Sequence, residues 1–216
     1  MERIHDGIRI RFETNYLGPR DPRAERFAVA LATATTQMDR WGCCPVLEDG
    51  FAAGNAALRL DTEHGMLLTP SGRRPGVLPP EDLVEVVHVD RPRWRVDYRA
   101  RTRALRPTSD AILHHAVLSP STWPNLDATE TPAVSLHGHS LDSQEDADRL
   151  GIPCAVTETQ FSTPEDLEAT RAKLARAPFP AHDAWIRRGH GFIVAGRSVS
   201  DALDRLRSLL DHPRPS

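Results

Sequence analysis

The stretch Ala133-Val134-Ser135-Leu136-His137-Gly138-His139 constrains the fold more than any other part of the chain. Its apolar residues alternate as in a strand, and a strand places residues two apart on one face. A sheet has to be built around it. The strand then ends by projecting two imidazoles, His137 and His139, to the same side, while Gly138 leaves the other side clear. Such a pair suits one flank of a divalent metal, although a buried histidine also serves as a simple hydrogen-bonding group. A third histidine, His190, lies much later, in Arg187-Arg188-Gly189-His190-Gly191-Phe192. Glycines on both sides allow close backbone approach. The working expectation is that His137, His139 and His190 converge on one metal ion.

A chain of 216 residues suffices for one good-sized domain with a single core. At 39% hydrophobic and 26% charged residues it groups with ordinary globular proteins rather than disordered ones. A formal net charge of -3 leaves no basic excess for phosphate neutralisation, which argues against bulk nucleic-acid binding. No apolar run approaches membrane-spanning length, and Met1 to Asp6 has no signal-peptide core. The expected location is the cytoplasm. Cys43, Cys44 and Cys154 form no C-x-x-C pattern and read as reduced thiols. Lys173 is the single lysine, in a charged, helix-like stretch that reads as solvated. A Schiff-base enzyme needs a desolvated amine, so carbonyl chemistry here would call for a metal.

Along the chain, Gly7 to Phe12 alternates as a short strand. Asp21-Pro22 opens a helix that runs to Trp41 on a stripe of Phe27, Leu31 and Met38, with Gly42 ending it. Gly54-Asn55 opens a strand, and Met66 to Leu68 is another. It runs into Thr69-Pro70-Ser71-Gly72, whose backbone N–H groups suit a phosphate, although locally the stretch fits a plain turn. Leu78 to Leu83 is a turn with a helical element. Val84 to Val89 and Arg93 to Tyr98 are strands. Thr108 or Ser109 caps a helix through about Leu118, with Asp110 in its first turn, where a carboxylate suits the helix dipole without any catalytic role. His114 lies four residues on, on the same helix face. Ile152 to Thr157 reads as a strand, and Thr163 opens a helix to about Ala175, with Asp166 completing a capping-box-like start. Ala184 to Ile186 and Phe192 to Ala195 are strands around the Gly189-His190-Gly191 turn. Ser198 caps a last helix, and the tail from His212 to Ser216 is expected to fray. Arg187 and Arg188 read as solvated. There is no repeat or long linker, and the simplest reading is one mixed α/β domain spanning 1–216.

Five of these elements occur in a telling order: Gly54-Asn55, Thr69-Pro70-Ser71-Gly72, Pro107-Thr108-Ser109-Asp110, His137-Gly138-His139 and Gly189-His190-Gly191. In this the chain resembles the class II aldolase/adducin family, whose sugar-phosphate lyases include fuculose-phosphate aldolase, and whose relatives include ribulose-phosphate epimerase. The resemblance runs from about Arg23 to Leu210. It implies a single α/β domain with a central, mostly antiparallel sheet flanked by helices on both faces, usually assembled as a homotetramer. It implies zinc, or Mn2+, Co2+ or Fe2+, on His137, His139 and His190. It also implies an anionic small-molecule substrate whose phosphate is gripped by Gly54, Asn55, Ser71, Gly72, Thr108 and Ser109.

The chemistry implied is that of a lyase acting on a phosphorylated ketose or related hydroxy-carbonyl compound through a metal-stabilised ene-diolate. Three neutral imidazoles leave metal positions open for such a substrate. Asp110 stands where the family lyases usually carry a glutamate as acid or base, and His114 is a candidate for orienting the groups behind it. The acid is one methylene shorter than a glutamate. The C-terminal tyrosine used by the aldolases has no counterpart, since the tyrosines here are Tyr16 and Tyr98. Dehydration, decarboxylation, epimerisation and iron-dependent oxygenation therefore stand beside aldol cleavage. A non-catalytic, adducin-like scaffold has no need of three ligands.

Overall fold

In a computed structural model, residues 10–47, 50–60 and 65–212 are described. The chain runs β1 (Glu13–Tyr16), α1 (Glu25–Arg40), β2 (Asn55–Arg59), β3 (Met66–Leu68), β4 (Val84–Asp90), β5 (Arg95–Arg99), α2 (Ala111–Leu118), β6 (Val134–Gly138), α3 (Gln144–Leu150), α4 (Pro164–Arg176), β7 (Ala184–Arg187), β8 (Gly191–Gly196) and α5 (Val199–Leu210). The eight strands form one sheet in the order β1-β5-β4-β3-β2-β6-β8-β7. Every pairing is antiparallel except β1 with β5.

Helix starts follow the local chemistry. The side chains of Asp21, Ser143, Thr163 and Ser198 each accept a bond from a backbone N–H two or three residues on. Alternation along the strands divides the core in two. Ala56, Leu58, Leu136, Ile186 and Val194 face α1 and α5. On the other face, Ala57, Met66, Leu68 and Tyr98 pack under α2 and Leu167 of α4. Trp185, Ile193 and Ala195 continue that layer. The result is a single α/β domain with a mostly antiparallel sheet covered on both faces.

Three expectations need correction. The strand expected over Gly7 to Phe12 is displaced: its first three residues lie outside the described region, and the edge strand forms at Glu13–Tyr16, parallel to β5. Ile152 to Thr157 forms no strand, only an isolated bridge between Cys154 and Ile186. Pro153 removes a donor there, which leaves little for a ladder. The helix α3 has no counterpart in the sequence reading. It starts at the Ser143 cap and ends at Gly151, whose φ of +64° favours glycine.

Candidate metal centre

β6 and β8 are neighbours, with Gly138 opposite Phe192. The end of β6 therefore lies beside the turn that enters β8. That turn is closed by the His190 N–H donating to the Arg187 carbonyl at 2.9 Å. Contact is close enough to require glycine on both sides. A Cβ on Gly138 would meet the Phe192 ring at 2.5 Å, and one on Gly191 would meet the Gly138 carbonyl oxygen at 2.2 Å. His137, His139 and His190, distant in sequence, consequently meet. The His137 and His190 rings stack with centroids 5.1 Å apart, and His139 sits 4.8 Å and 4.7 Å from them.

Each of the three imidazoles offers one nitrogen, and these nitrogens lie within 4.8 Å of one another. His137 Nε2 and His139 Nε2 are 3.1 Å apart. Two nitrogens on a tetrahedral zinc are separated by roughly 3.3 Å at ordinary bond lengths. His137 Nδ1 donates to the Phe192 carbonyl at 2.7 Å, which fixes the tautomer and leaves the Nε2 lone pair for a cation. His190 Nε2 is buried and has no hydrogen-bond partner. Burial pushes the pKa values of His137 and His190 well below the ordinary value, with Arg187 adding to the effect, so both rings are held neutral. An orphaned nitrogen beside two others is a donor set that fits a divalent ion.

Asp110 lies on the same side. It does not sit in the first turn of α2; it is the residue preceding the helix, and its side chain makes no capping bond, which corrects the expected Thr108 or Ser109 cap. Its carboxylate is instead turned into the protein. Oδ2 accepts from Asn55 Nδ2 at 2.8 Å and lies 3.7 Å from His137 Nε2. Oδ1 accepts from Arg187 Nη1 at 3.0 Å. Burial alone would raise the Asp110 pKa, but the Arg187 guanidinium holds it well below the usual carboxylate range. Behind it, Asn55 Oδ1 accepts from His114 Nε2 at 2.6 Å. An amide oxygen only accepts, so His114 carries its proton on Nε2, and its Nδ1 accepts from the Ser135 hydroxyl at 2.9 Å. Burial, helped by Arg187 and opposed by Asp110, pulls the His114 pKa down to about 4.

The remaining expected anion-binding residues occupy one neighbourhood. The Ser71 N–H donates to the Arg106 carbonyl at 2.9 Å and the Thr108 N–H to the Thr69 carbonyl at 3.1 Å. The two hydroxyl-rich turns thus lie side by side, immediately before Asp110. Ser109 shares a small cavity with Asp110, Trp94 and Ser162. Gly72 has a φ of +73° and rests against the Phe51 ring. Gly54 is explained by packing, since a Cβ there would meet Cys44 Sγ at 2.6 Å. The Asn55 amide is engaged at both ends, one N–H by Asp110 and the oxygen by His114.

Two basic residues expected to be solvated are buried. Arg187 is 4% exposed and bridges Asp110 to Asp166, its Nη2 donating to Asp166 Oδ2 at 2.6 Å. Thr159 donates to the other Asp166 oxygen at 2.9 Å. Lys173 is 6% exposed and donates to the Ile186 carbonyl at 2.9 Å; burial pulls its pKa down to about 7. The signals were present in the sequence. Arg187 is two residues beyond Trp185 and so shares its inward face. Lys173 follows Asp166 and Thr170 at helical spacing on the buried side of α4. Phe161 stacks on His190 with ring centroids 5.6 Å apart, a contact that its loop sequence does not signal.

Known proteins resemble this chain over most of its length. A methylthioribulose-1-phosphate dehydratase of Yersinia enterocolitica is 26% identical over 189 residues, covering 83% of this chain and 86% of the relative. One of Methylococcus capsulatus is 28% identical over 209 residues, covering 88% and 92%. Among solved structures, an l-fuculose-1-phosphate aldolase from Thermus thermophilus superposes with a TM-score of 0.57 at 20% identity, covering 87% of this chain and 90% of the other. A sugar-phosphate aldolase from Thermotoga maritima gives 0.61 at 18% identity, covering 87% and 92%. These structural likenesses speak for the fold. The model of the Class II Aldolase and Adducin N-terminal domain matches residues 30–211. With that match spanning most of the sequence and the fold agreeing, the chain belongs to the class II aldolase and adducin N-terminal domain family.

Proposed function

We propose that this protein is a divalent-metal-dependent lyase that removes water from a phosphorylated ketose or a related hydroxy-carbonyl compound. The observation that carries the reading is the set of three imidazoles with their ligand nitrogens within 4.8 Å, two held neutral by burial, beside a buried carboxylate. His137, His139 and His190 would hold the ion, with zinc the first choice and Mn2+, Co2+ or Fe2+ the alternatives. When bound, such an ion supplies a Lewis acid that polarises a substrate carbonyl.

The chain's own groups do the rest. Asp110, kept ionised, is assigned the acceptance of a proton from substrate at Oδ2, its oxygen nearer to His137. Asn55 and His114 keep that carboxylate oriented from behind. The turns at Ser71-Gly72 and Thr108-Ser109 are assigned the substrate's phosphate, with Gly54-Asn55 beside them. Dehydration is preferred over aldol cleavage on two grounds. The relatives named above are dehydratases, and Asp110 is a shorter acid than the aldolases use, with no tyrosine after Tyr98 to serve a departing aldehyde. A homotetramer, as the resemblance implies, and the cytoplasmic location expected from the sequence belong to the same proposal.

The test is direct. Zinc-loaded protein is incubated with methylthioribulose-1-phosphate and, separately, with l-fuculose-1-phosphate, and products are identified by mass. Loss of water from the first supports the reading, while carbon–carbon cleavage of the second restores aldol chemistry. Metal retained by a His137→Ala, His139→Ala double variant would overturn the site itself.

A further inference from the structure

Arg187 ends β7 on the face covered by α2 and α4, almost wholly out of water. Removing a guanidinium from water is costly unless its charge and donors are matched. Here the planar fork is divided between two carboxylates that do not touch each other in sequence. Nη1 takes Asp110 Oδ1 at 3.0 Å, and Nη2 takes Asp166 Oδ2 at 2.6 Å. Asp166 is itself immobilised. Thr159 occupies its other oxygen, and its backbone N–H is bound by the Thr163 hydroxyl at the start of α4. The main chain of the same arginine carries the His190 turn, since its carbonyl accepts the His190 N–H. One residue therefore links the two halves of the site, a ligand loop through its backbone and Asp110 through its side chain.

We propose that Arg187 is a positioning residue for the metal centre: it fixes the orientation of the Asp110 carboxylate against His137, with Asp166 and Thr159 as its rigid far anchor. The inference rests on the triad being a metal site. With Asn55 on Oδ2 and Arg187 on Oδ1, the Asp110 carboxylate is gripped at both ends and cannot turn. Without Arg187 only the Asn55 amide remains, and the negative charge is free to rotate away from the imidazoles. Lysine reproduces the charge but not the two fixed donor directions.

Cobalt(II) is the probe, because its visible absorption reports ligand geometry. Wild-type protein must take up cobalt with a d–d band that a His190→Ala variant lacks; if wild type takes up none, the triad reading fails and the positioning role fails with it. Given uptake, Arg187→Met and Asp166→Asn, checked for folding by circular dichroism, are expected to bind cobalt about ten- to a hundredfold more weakly, as losses around metal ligands do, with a shifted band. Arg187→Lys should fall between. The Arg187→Met, Asp166→Asn double variant should be no weaker than Arg187→Met, because both changes cut one strut. With methylthioribulose-1-phosphate as substrate, kcat should drop more than KM rises. If Arg187→Met fails to fold, Asp166→Asn and Arg187→Lys decide. Folded variants with cobalt affinity within twofold of wild type and an unshifted band, or strictly additive losses, overturn the assignment.

Discussion

Gly138→Ala is a one-carbon change with a consequence that can be worked out from the contacts. The added Cβ would lie 2.5 Å from Phe192 Cζ, 2.7 Å from Cε1 and 3.0 Å from Cys43 Cβ. Carbon atoms in contact prefer 3.5–4.0 Å, so something must move by about 1 Å. Phe192 is fully buried within the core on the α1 side, and its ring has no solvent to swing into. Overpacking of this kind costs about 1–3 kcal/mol. In a chain of this size each kcal/mol lowers Tm by roughly 2–4 °C, so the melt should fall by roughly 2–12 °C. The change should also reach the metal. Phe192 pairs with Gly138 across the sheet, and its carbonyl orients His137 through the 2.7 Å bond to Nδ1. Zinc affinity should fall about tenfold or more. The assays are thermal melts of chelator-treated protein and a zinc titration followed by calorimetry. Adding Phe192→Leu should recover much of the stability. A Gly138→Ala protein that melts with wild type and binds zinc equally would show that β6 and β8 do not meet as described.

Further outcomes follow from the same geometry. At a zinc concentration a thousandfold above Kd, binding to the native state alone adds about 4 kcal/mol, a rise of roughly 8–16 °C in Tm; His190→Ala should abolish that rise, and its persistence would remove His190 from the ligand set. His114 is depressed to about 4 when folded and ordinary when unfolded, so its contribution is intact above about pH 6.5 and is lost as pH falls toward 4. In metal-free protein, urea midpoints should show stability dropping by about 1.4 kcal/mol per pH unit from this group, and His114→Gln should remove that share of the slope; an unchanged slope refutes the buried neutral ring. Lys173, depressed to about 7, destabilises the native state as pH falls from about 10.5 toward 7, because the unfolded chain binds that proton more tightly. Lys173→Met should therefore raise Tm at pH 7 by at least about 2 °C, with the Ile186 carbonyl still satisfied by the Ala155 N–H, and the gain should shrink above pH 10. A lower Tm at pH 7 would mean that the amine's bond outweighs its desolvation.

What the sequence made legible was what depends on local period and local chemistry. His137 and His139 on one strand end, the Asp21, Thr163 and Ser198 caps and the α5 stripe all follow from neighbours within a few residues. The meeting with His190 was an inference across the chain, and the structure brings the three rings together. Failures arose where burial is decided by a distant partner. Arg187 and Lys173 carry charges that favour solvent, and only carboxylates or carbonyls from other elements make their burial tolerable. Asp110 looked like a helix-start acid because its sequence context is one; that its carboxylate turns inward depends on Asn55 and Arg187, remote in sequence. The absent strand over Ile152 to Thr157 failed for a related reason, since apolar content alone does not supply a ladder partner.

His137 and His139 belong to one side of a hairpin-like seam and His190 to the other, so their spacing is set by the pitch of neighbouring strands rather than by the length of chain between them. Everything from α3 through α4 is an excursion that leaves the sheet beside His139 and returns to it at β7. Such an excursion can be lengthened, shortened or reshaped at its outer turns while the seam keeps its dimensions. Its inner footings, the Asp166 side chain reaching back to Arg187 and the Phe161 ring stacked on His190, tie it to the centre. A fold arranged in this way separates the seam that sets the spacing of the three imidazoles from a connection that can change without rebuilding it.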